Sequence, residues 1–374
     1  MKKRKTLLVL AAVLAVNGFA KTKGTLTVGS DIVKTDDTED QNIVFGGAYA
    51  NLNITAENEY VTAGGKIYFR LNSTDEWESL AKKIEIKKAF LKARPFGTDL
   101  FEIAIGKLYS YYLPGNFFQL SEIYTGSSRW GKTGLGVLIN KNGFSGGAAL
   151  ALSESYEAFT DSVGVNGALV YDFKEISSKI PVKLGADLLY LREVEDDDTY
   201  SDDFSSTVSI LYTPKLDGFI SKLSLALSYS YNSEPYVASS VFKNVTNYKN
   251  ADLKKSNFAS VNFSTDIGRV KFTLEGEAGH SKEGSMIPLY AGTQLLIPVF
   301  KFIYFKPRFF YYAALDEDDN SASRQTFEVY PRLWLEIKNV AISAGYDFDF
   351  KQTADDEWRY EWAIPFFIEY RLGK

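Results

Sequence analysis

The sequence predicts an all-β protein, a closed antiparallel up-and-down β-barrel of about eighteen strands that crosses a membrane. Two observations predict it: long segments of alternating apolar and polar residues, and connections that alternate between long and short. The last segment, "EWRYEWAIPFFIEYRLGK" (357–374), shows the alternation best, with apolar residues at every second position from Trp358 to Leu372 and charges between them. A period of two is typical of a strand whose side chains alternate between two faces.

Residues 1–20 are predicted to be a cleaved signal peptide that exports the chain. Lys2, Lys3, Arg4 and Lys5 form a positive leader, residues 7–16 an apolar segment, and Gly18 and Ala20 the small residues before the cut. These are the three parts of an export signal. Residues 21–374 then form a single transmembrane β-barrel domain, and we expect it in the outer membrane of a Gram-negative cell.

The composition excludes several classes of protein. Beyond the leader no run of about twenty apolar residues occurs, which membrane-spanning helices require. The 374 residues include no cysteine, so disulfides and thiolate metal sites are excluded. The net charge is −5 and no basic stripe indicates nucleic-acid binding. No metal and no cofactor are expected.

The alternating segments have the length of tilted membrane-spanning strands, about 9–14 residues. Their predicted spans are 24–34, 42–54, 58–71, 84–94, 99–108, 132–140, 143–153, 163–173, 181–192, 203–213, 220–231, 255–265, 268–280, 286–297, 299–312, 325–337, 339–350 and 357–372. Sixteen strands is the alternative count. The fourth segment changes phase near Lys87–Lys88, which predicts a β-bulge there.

The connections between these segments alternate in length. The odd-numbered ones are long and polar, such as "NSTDEWESLAKK" and "EVEDDDTYSDD", whereas most even-numbered ones are short turns, such as "DIGR" and "PV". Hairpins that are long at one end and tight at the other are typical of outer-membrane barrels. Since unpaired amides are costly in lipid, we expect the first and last strands to pair and close the barrel.

Residues 84–115, "IEIKKAFLKARPFGTDLFEIAIGKLYSYYLPG", resemble the fourth and fifth strands of the Gram-negative outer-membrane porin family, either general porins or eighteen-stranded substrate-selective ones. In that family the next loop folds into the pore. The resemblance implies the same for the third long connection, residues 109–131, whose Leu113–Pro114 is similar to the family's loop. Its implied constriction residues are Tyr111, Tyr112, Pro114, Phe117, Phe118, Glu122 and Tyr124. An ordinary surface loop is the alternative.

The polar phase of each strand supplies the expected pore lining. The basic residues on this phase are Lys66, Arg70, Lys88, Lys92, Arg94, Arg269, Lys271, Lys306, Arg308, Arg332 and Arg359. The acidic residues are Glu275, Glu277, Glu328, Glu336, Asp347, Asp349 and Glu361. The first five basic residues come from neighbouring strands and favour anions, because clustered like charges set the selectivity of a narrow lumen. In the later strands both signs occur, and most charges are expected to pair across strands.

Small residues on the outward phase of the second and third predicted strands suggest a subunit contact. They are Val44, Gly46, Ala48, Ala50, Ala63 and Gly65. Small residues allow close approach of membrane surfaces, and the porin resemblance implies a homotrimer. Lipid, small polar solutes and the barrel-assembly machinery are the other expected partners. Unlike the usual family terminus, which is aromatic, this chain ends on Leu372–Gly373–Lys374.

These features predict a passive water-filled channel for small hydrophilic solutes and ions. One alternative is a channel selective for sugars or anions, and another is a structural or adhesive surface barrel without an open pore. An enzyme is not expected. The chain has one histidine, His280, and its neighbour Ser281 falls on the opposite face of the strand, so a Ser–His pair is not formed there.

Overall fold

The computed structural model describes residues 21–35, 43–44, 47–71, 84–107, 117, 133–152, 162–194, 200–233, 255–281, 286–316, 322–352 and 357–373. The predicted signal peptide lies outside the described residues, and so does most of the predicted constriction loop. No helix among the described residues is long and apolar enough to cross a membrane.

The described residues form one antiparallel sheet of eighteen strands, two of which are interrupted. Tyr346 separates the two pieces of one interrupted strand, and both pieces keep the same register against the last strand. The strands are β1 (Lys21–Thr35), β2 (Ile43–Val44 and Ala48–Glu57), β3 (Val61–Leu71), β4 (Ile84–Ala93), β5 (Phe101–Lys107), β6 (Thr133–Lys141), β7 (Phe144–Leu152), β8 (Ser162–Asp172), β9 (Val182–Val194), β10 (Tyr200–Tyr212), β11 (Ile220–Asn232), β12 (Ser256–Ile267), β13 (Val270–Ser281), β14 (Met286–Phe300), β15 (Ile303–Asp316), β16 (Ala322–Ile337), β17 (Val340–Gly345 and Asp347–Gln352) and β18 (Trp358–Leu372).

The sheet closes on itself. Each strand pairs with the next along the chain, and β1 pairs with β18 from Gly24 opposite Leu372 to Lys34 opposite Ala363. Closure leaves no open edge, which is what hydrocarbon surroundings demand of a sheet. The predicted fold class and the count of eighteen are therefore confirmed, and the alternative count of sixteen is wrong.

Burial along the strands is inverted relative to a soluble barrel. Leu184, Leu188 and Val208 are exposed, whereas Asp187 and Thr207, on the alternate phase of the same strands, are buried. Most exposed apolar side chains thus face outward, and the lumen receives most of the polar ones together with some buried apolar ones such as Leu189. This distribution fits a barrel whose exterior contacts acyl chains.

Tight turns occupy the end of the barrel where both chain ends lie. Asn142 and Gly143 both have positive φ, at 50° and 80°, in the two-residue turn between β6 and β7. A type I′ hairpin requires positive φ at both positions, which Asn-Gly accommodates at little cost. A 3-10 turn, Phe173–Glu175, begins the longer connection after β8, where the side chain of Asp172 accepts a hydrogen bond from Lys174 N.

The bulge predicted in the fourth segment is present in β4. Lys66 lies opposite Lys88, but Ile67 lies opposite Ile86, so one extra residue is inserted in β4. Close to it, Gly106 of β5 has a φ of 120°, and a Cβ there would overlap the carbonyl oxygen of Ala89. Only glycine fits this close approach of β5 to β4.

Candidate pore lining

The first part of the lining is the basic wall, which we define as the lumen face of β2–β5. Cross-strand register places Asn53 opposite Lys66 and Tyr49 opposite Arg70 on this face. The Arg70 residue is exposed, and Lys66 is half-buried. Because the cations here lie beside amides and phenols, this surface combines positive charge with hydrogen-bonding groups.

Ion pairs stabilise the part of the basic wall that lies nearest the tight turn between β4 and β5. Lys92 Nζ lies 3.1 Å from Glu102 Oε1, and Arg94 Nη1 lies 3.2 Å from Asp99 Oδ1. Arg94 also donates a hydrogen bond to the Thr62 hydroxyl. The predicted lining residue Lys88 belongs to β4 and is paired in register with Lys66. Its side chain lies outside the part of the chain that the structure describes.

The second part is the aromatic wall, the lumen face of β13–β17. Tyr290, Phe310 and Tyr312 are 3–4% exposed, and their ring centroids lie 5.2–6.4 Å apart. The Tyr330 ring lies 5.8 Å from that of Phe310. Aromatic pairs at these distances stabilise beyond the area they bury. The barrel therefore has a packed aromatic cluster on one side of its lumen.

Carboxylates of the aromatic wall are held by hydroxyl groups. Tyr290 OH donates to Glu275 Oε1 at 2.6 Å, and Ser260 Oγ donates to Glu277 Oε2 at 2.6 Å. Two further phenols do the same: Tyr330 OH donates to Asp349 Oδ1 at 3.1 Å, and Tyr312 OH donates to Glu328 Oε2 at 3.4 Å. Bonds to a charged acceptor are stronger than neutral ones, so the acids and the rings fix each other's positions.

Cations of the aromatic wall lie over aromatic rings. Lys306 Nζ is 5.1 Å from the centroid of Trp334, Arg308 Cζ is 4.8 Å from that of Phe310, and Arg332 Cζ is 5.9 Å from that of Tyr330. Distances of up to about 6 Å allow a cation–π attraction. Positive charge on this wall is thus carried on aromatic surfaces.

Ion pairs link the last strands of the aromatic wall to each other and to β18. Arg332 Nη2 lies 2.6 Å from Asp347 Oδ2. Lys351 Nζ lies 2.7 Å from Glu361 Oε2, and Arg359 occupies the position opposite Lys351 on β18. The remaining predicted acid of this sector, Glu336, accepts from Arg371 at 3.0 Å. Here charges of both signs neutralise each other across strands.

One described residue of the predicted constriction loop, Phe117, lies inside the barrel. It packs against the cluster formed by Ala226, Phe258, Tyr290, Phe310 and Tyr312. Its ring atoms also come within 3.1 Å of the position a Cβ would take at Gly185 of β9. The other predicted constriction residues, Tyr111, Tyr112, Pro114, Phe118, Glu122 and Tyr124, lie outside the described residues.

The remaining predicted residues fall at the barrel end or on its outer face. Arg269 lies in the tight turn between β12 and β13, and Lys271 is the second residue of β13. Ala48, Ala50, Ala63 and Gly65 face outward by register, since their partners include Phe69 and Ile54. Val44 belongs to the short first piece of β2, and Gly46 lies outside the described residues.

The aromatic cluster itself was not among the predicted site residues. In "IYFKPRFFYYAALD" both phases of β15 are aromatic, so alternation alone does not show which rings face the lumen. Phe310 and Tyr312 share the phase of Lys306 and Arg308, and that shared phase is the signal that identifies them. Among the described residues no group of three or more His, Cys, Asp or Glu could hold a metal ion.

The fold and its lining define a class: a closed transmembrane barrel with an apolar exterior and a charged lumen. Within that class, the chain is similar to the outer membrane protein OpdK of Pseudomonas aeruginosa, at 13% identity and TM-score 0.59, over 95% of this chain and 99% of that one. It is also similar to OccK5 (OpdH) of the same organism, at 12% identity and TM-score 0.55, over 94% and 98%.

A third similar structure is Wzi of Escherichia coli, an outer membrane protein involved in group 1 capsule assembly and described as a carbohydrate-binding β-barrel. The identity is 7% and the TM-score 0.55, over 95% of this chain and 85% of Wzi. OpdK has also been crystallised with vanillate. No family model and no curated protein sequence matches the chain. At these identities the likeness shows the fold, which is the one expected from the porin resemblance.

Proposed function

We propose that this chain is an outer-membrane porin, a passive channel for small hydrophilic solutes and ions, and that it is not an enzyme. The observation that carries the proposal is the position of Phe117. This residue lies against the aromatic wall and β9, while the basic wall keeps Arg70 exposed. A loop held to one side of a closed barrel leaves a path along the other side. The predicted inward course of residues 109–131 is part of this proposal.

The charge distribution favours anions in this channel. On the aromatic wall, Glu275 and Glu277 accept hydrogen bonds from hydroxyl groups, and Asp347 is paired with Arg332. On the basic wall, Lys66 lies opposite Asn53 and Arg70 lies opposite Tyr49, and Lys66 is paired in register with Lys88 on the other side. Fixed positive charge in a narrow lumen raises the local concentration of anions.

A substrate-selective channel is the second candidate, and the cations over the rings of Trp334 and Phe310 favour it. Such a surface offers both stacking and charge to a ring that carries a carboxylate. Vanillate, crystallised with OpdK, has that chemistry, and maltose tests the sugar alternative that Wzi suggests. We further propose a homotrimer in contact through the outward small residues Ala48, Ala50 and Gly65, placed in lipid by the barrel-assembly machinery; Ala63, also predicted for this contact, is 3% exposed and does not contribute.

The experiment is a planar bilayer recording of the purified protein. We expect steady ohmic conductance, partly blocked by vanillate if the channel is substrate-selective and by neither solute if it is a general porin. A protein that inserts but never conducts would contradict the porin proposal and favour the surface barrel without an open pore.

The variant Phe117→Ala sharpens this test. Loss of the ring removes the contact with Gly185 and the aromatic cluster, so single-channel conductance should rise and fluctuate more. Phe96→Ala is the matched control, because Phe96 is 67% exposed in the turn between β4 and β5. Equal conductance of the two variants would show that Phe117 does not limit the path.

A further inference from the structure

Another part of the lumen lies between Phe117 and the end of the barrel where the tight turns are. A cavity of about 950 Å³ opens there, lined by Phe117, Lys183, Lys215, Lys222, Lys271 and hydroxyl side chains. The lysines come from the first residues of β9, β11 and β13 and from the connection between β10 and β11. We call this cavity the lysine chamber.

Strand register places most of these charges in a single row. Lys222 lies opposite Asp266, Asp266 lies opposite Lys271, and an isolated bridge sets Lys215 opposite Lys222. The row has three ammonium groups and one carboxylate, and Lys222 Nζ is 3.6 Å from Asp266 Oδ2. Like charges placed directly opposite each other destabilise a sheet. This fold nevertheless keeps a formal excess of two positive charges at one level of the wall.

The next row into the barrel supplies neutral donors. Ser224 lies opposite Ser264, and Ser264 lies opposite Thr273, so three hydroxyl side chains stand directly above the lysine row. All three line the chamber. Ammonium and hydroxyl donors that converge on one space are the partners that oxyanions require.

The backbone around the chamber is held by hydrogen bonds at both ends of the row. Thr213 N donates to Pro181 O at 2.8 Å, and Lys174 Nζ donates to Thr213 Oγ1 at 3.1 Å. On the other side Thr265 Oγ1 donates to the Lys222 carbonyl at 2.8 Å. The connection that carries Lys215 is therefore fixed against the wall, and the row exists before any ligand arrives.

We propose that the lysine chamber binds a divalent oxyanion, whose two negative charges match the excess of the row. This inference deepens the proposed channel function and rests on it for its physiological role. It makes the pore asymmetric, because the site lies at one end of the barrel, beyond the Phe117 contact as seen from the long loops.

The test is calorimetric titration of the full-length protein in detergent with sodium sulfate, at low ionic strength and with sodium chloride as the reference titrant. We expect one sulfate site per chain, weakened about tenfold (about 1.4 kcal/mol) in the double variant Lys215→Gln/Lys222→Gln, because two of the three ammonium groups of the row are removed. Lys301→Gln, in the turn between β14 and β15, is the control and should bind like the unaltered protein. Heat-modifiable migration in gels checks that each variant has folded.

Bilayer recordings separate the failure of this inference from that of the channel. If sulfate binds, is lost in the double variant and the protein is electrically silent, the site stands and the channel proposal falls. If the protein conducts but the sulfate titration shows no binding, the proposed site is wrong and the channel proposal stands. Equal sulfate affinity in the double variant and in Lys301→Gln also overturns the site. In a conducting protein, sulfate should block at lower concentration from the tight-turn side.

Discussion

The aromatic wall and the basic wall belong to the same barrel and follow the same alternation, yet they are built differently. On the aromatic wall, Glu275 is 1% exposed and Phe310 4%, and Phe117 packs against the cluster. On the basic wall, Arg70 is exposed and Tyr68 half-buried. The aromatic wall is packed like the interior of a folded protein, whereas the basic wall is exposed around Arg70.

The difference shows that a barrel lumen can divide its tasks by sector. Packing on one side holds the ring of Phe117 in place, because close-packed interiors resist displacement. On the basic wall, the lumen face around Arg70 is exposed. Substitutions on the aromatic wall should therefore change stability most, and substitutions on the basic wall should change permeation most.

The largest expected effect is on the aromatic wall, in Phe310→Ala. The ring is buried among Tyr290, Tyr312 and Tyr330, so its removal leaves a cavity. We expect the free energy of unfolding to fall by about 3 kcal/mol. The measurement is urea unfolding in phospholipid vesicles followed by tryptophan fluorescence.

Phe309→Ala is the matched control for this comparison. Phe309 is the preceding residue on the same strand, faces outward and is 43% exposed. Its removal takes surface from lipid contact without opening a cavity, so the loss should be well under half that of Phe310→Ala. Equal losses for the two variants would show that the lumen cluster is not tightly packed.

A smaller effect is expected for the ion pair between β16 and β17 of the aromatic wall. Arg332 binds both oxygens of Asp347, at 2.9 and 2.6 Å from Nη2, with side chains 25% and 21% exposed. Removing both partners separately and together, as Arg332→Gln and Asp347→Asn, should give a coupling energy of about 1–2 kcal/mol.

The comparison pair is Arg192 and Asp202, which is also bidentate, at 2.8 and 3.0 Å. These side chains are 51% and 50% exposed on the outer face. Solvent screens them, so the same cycle should return a clearly smaller coupling energy. A larger value for the exposed pair would mean that the lumen around Asp347 is as well hydrated as the outer surface.

The architecture could be predicted from the sequence because one rule, alternation between lipid and water, applies to every strand. Even the extra residue of β4 was visible as a change of phase at Lys87–Lys88, and the structure confirms it. The division of the lumen could not be predicted in the same way. Which inward residues meet depends on the shear of the barrel and on the path of a loop, and neither leaves a periodic signal.

Particular residues show where the prediction stopped. Arg269 fits the inward phase, yet it lies in a tight turn, because strand ends differ from the periodic pattern by a few residues. Lys215 was not predicted as a lining residue, since nothing in "TPKLDGF" indicates that this connection folds back to pair with Lys222. Phe117 was predicted from a family resemblance, and no alternation would have identified it.

The double variant Lys66→Gln/Arg70→Gln on the basic wall should have the smallest effect on stability. Its effect on permeation should be the largest. Since Arg70 is exposed and Lys66 is only half-buried, the free energy of unfolding should change by less than about 0.5 kcal/mol. The reversal potential in a potassium chloride gradient should shift toward cation preference, because two fixed positive charges leave the lumen. Lys179→Gln/Lys301→Gln removes the same charge from two turns at the barrel end and should shift it less. If the two double variants shift the potential equally, net charge rather than the basic wall sets the selectivity, and the assignment of permeation to this sector is wrong.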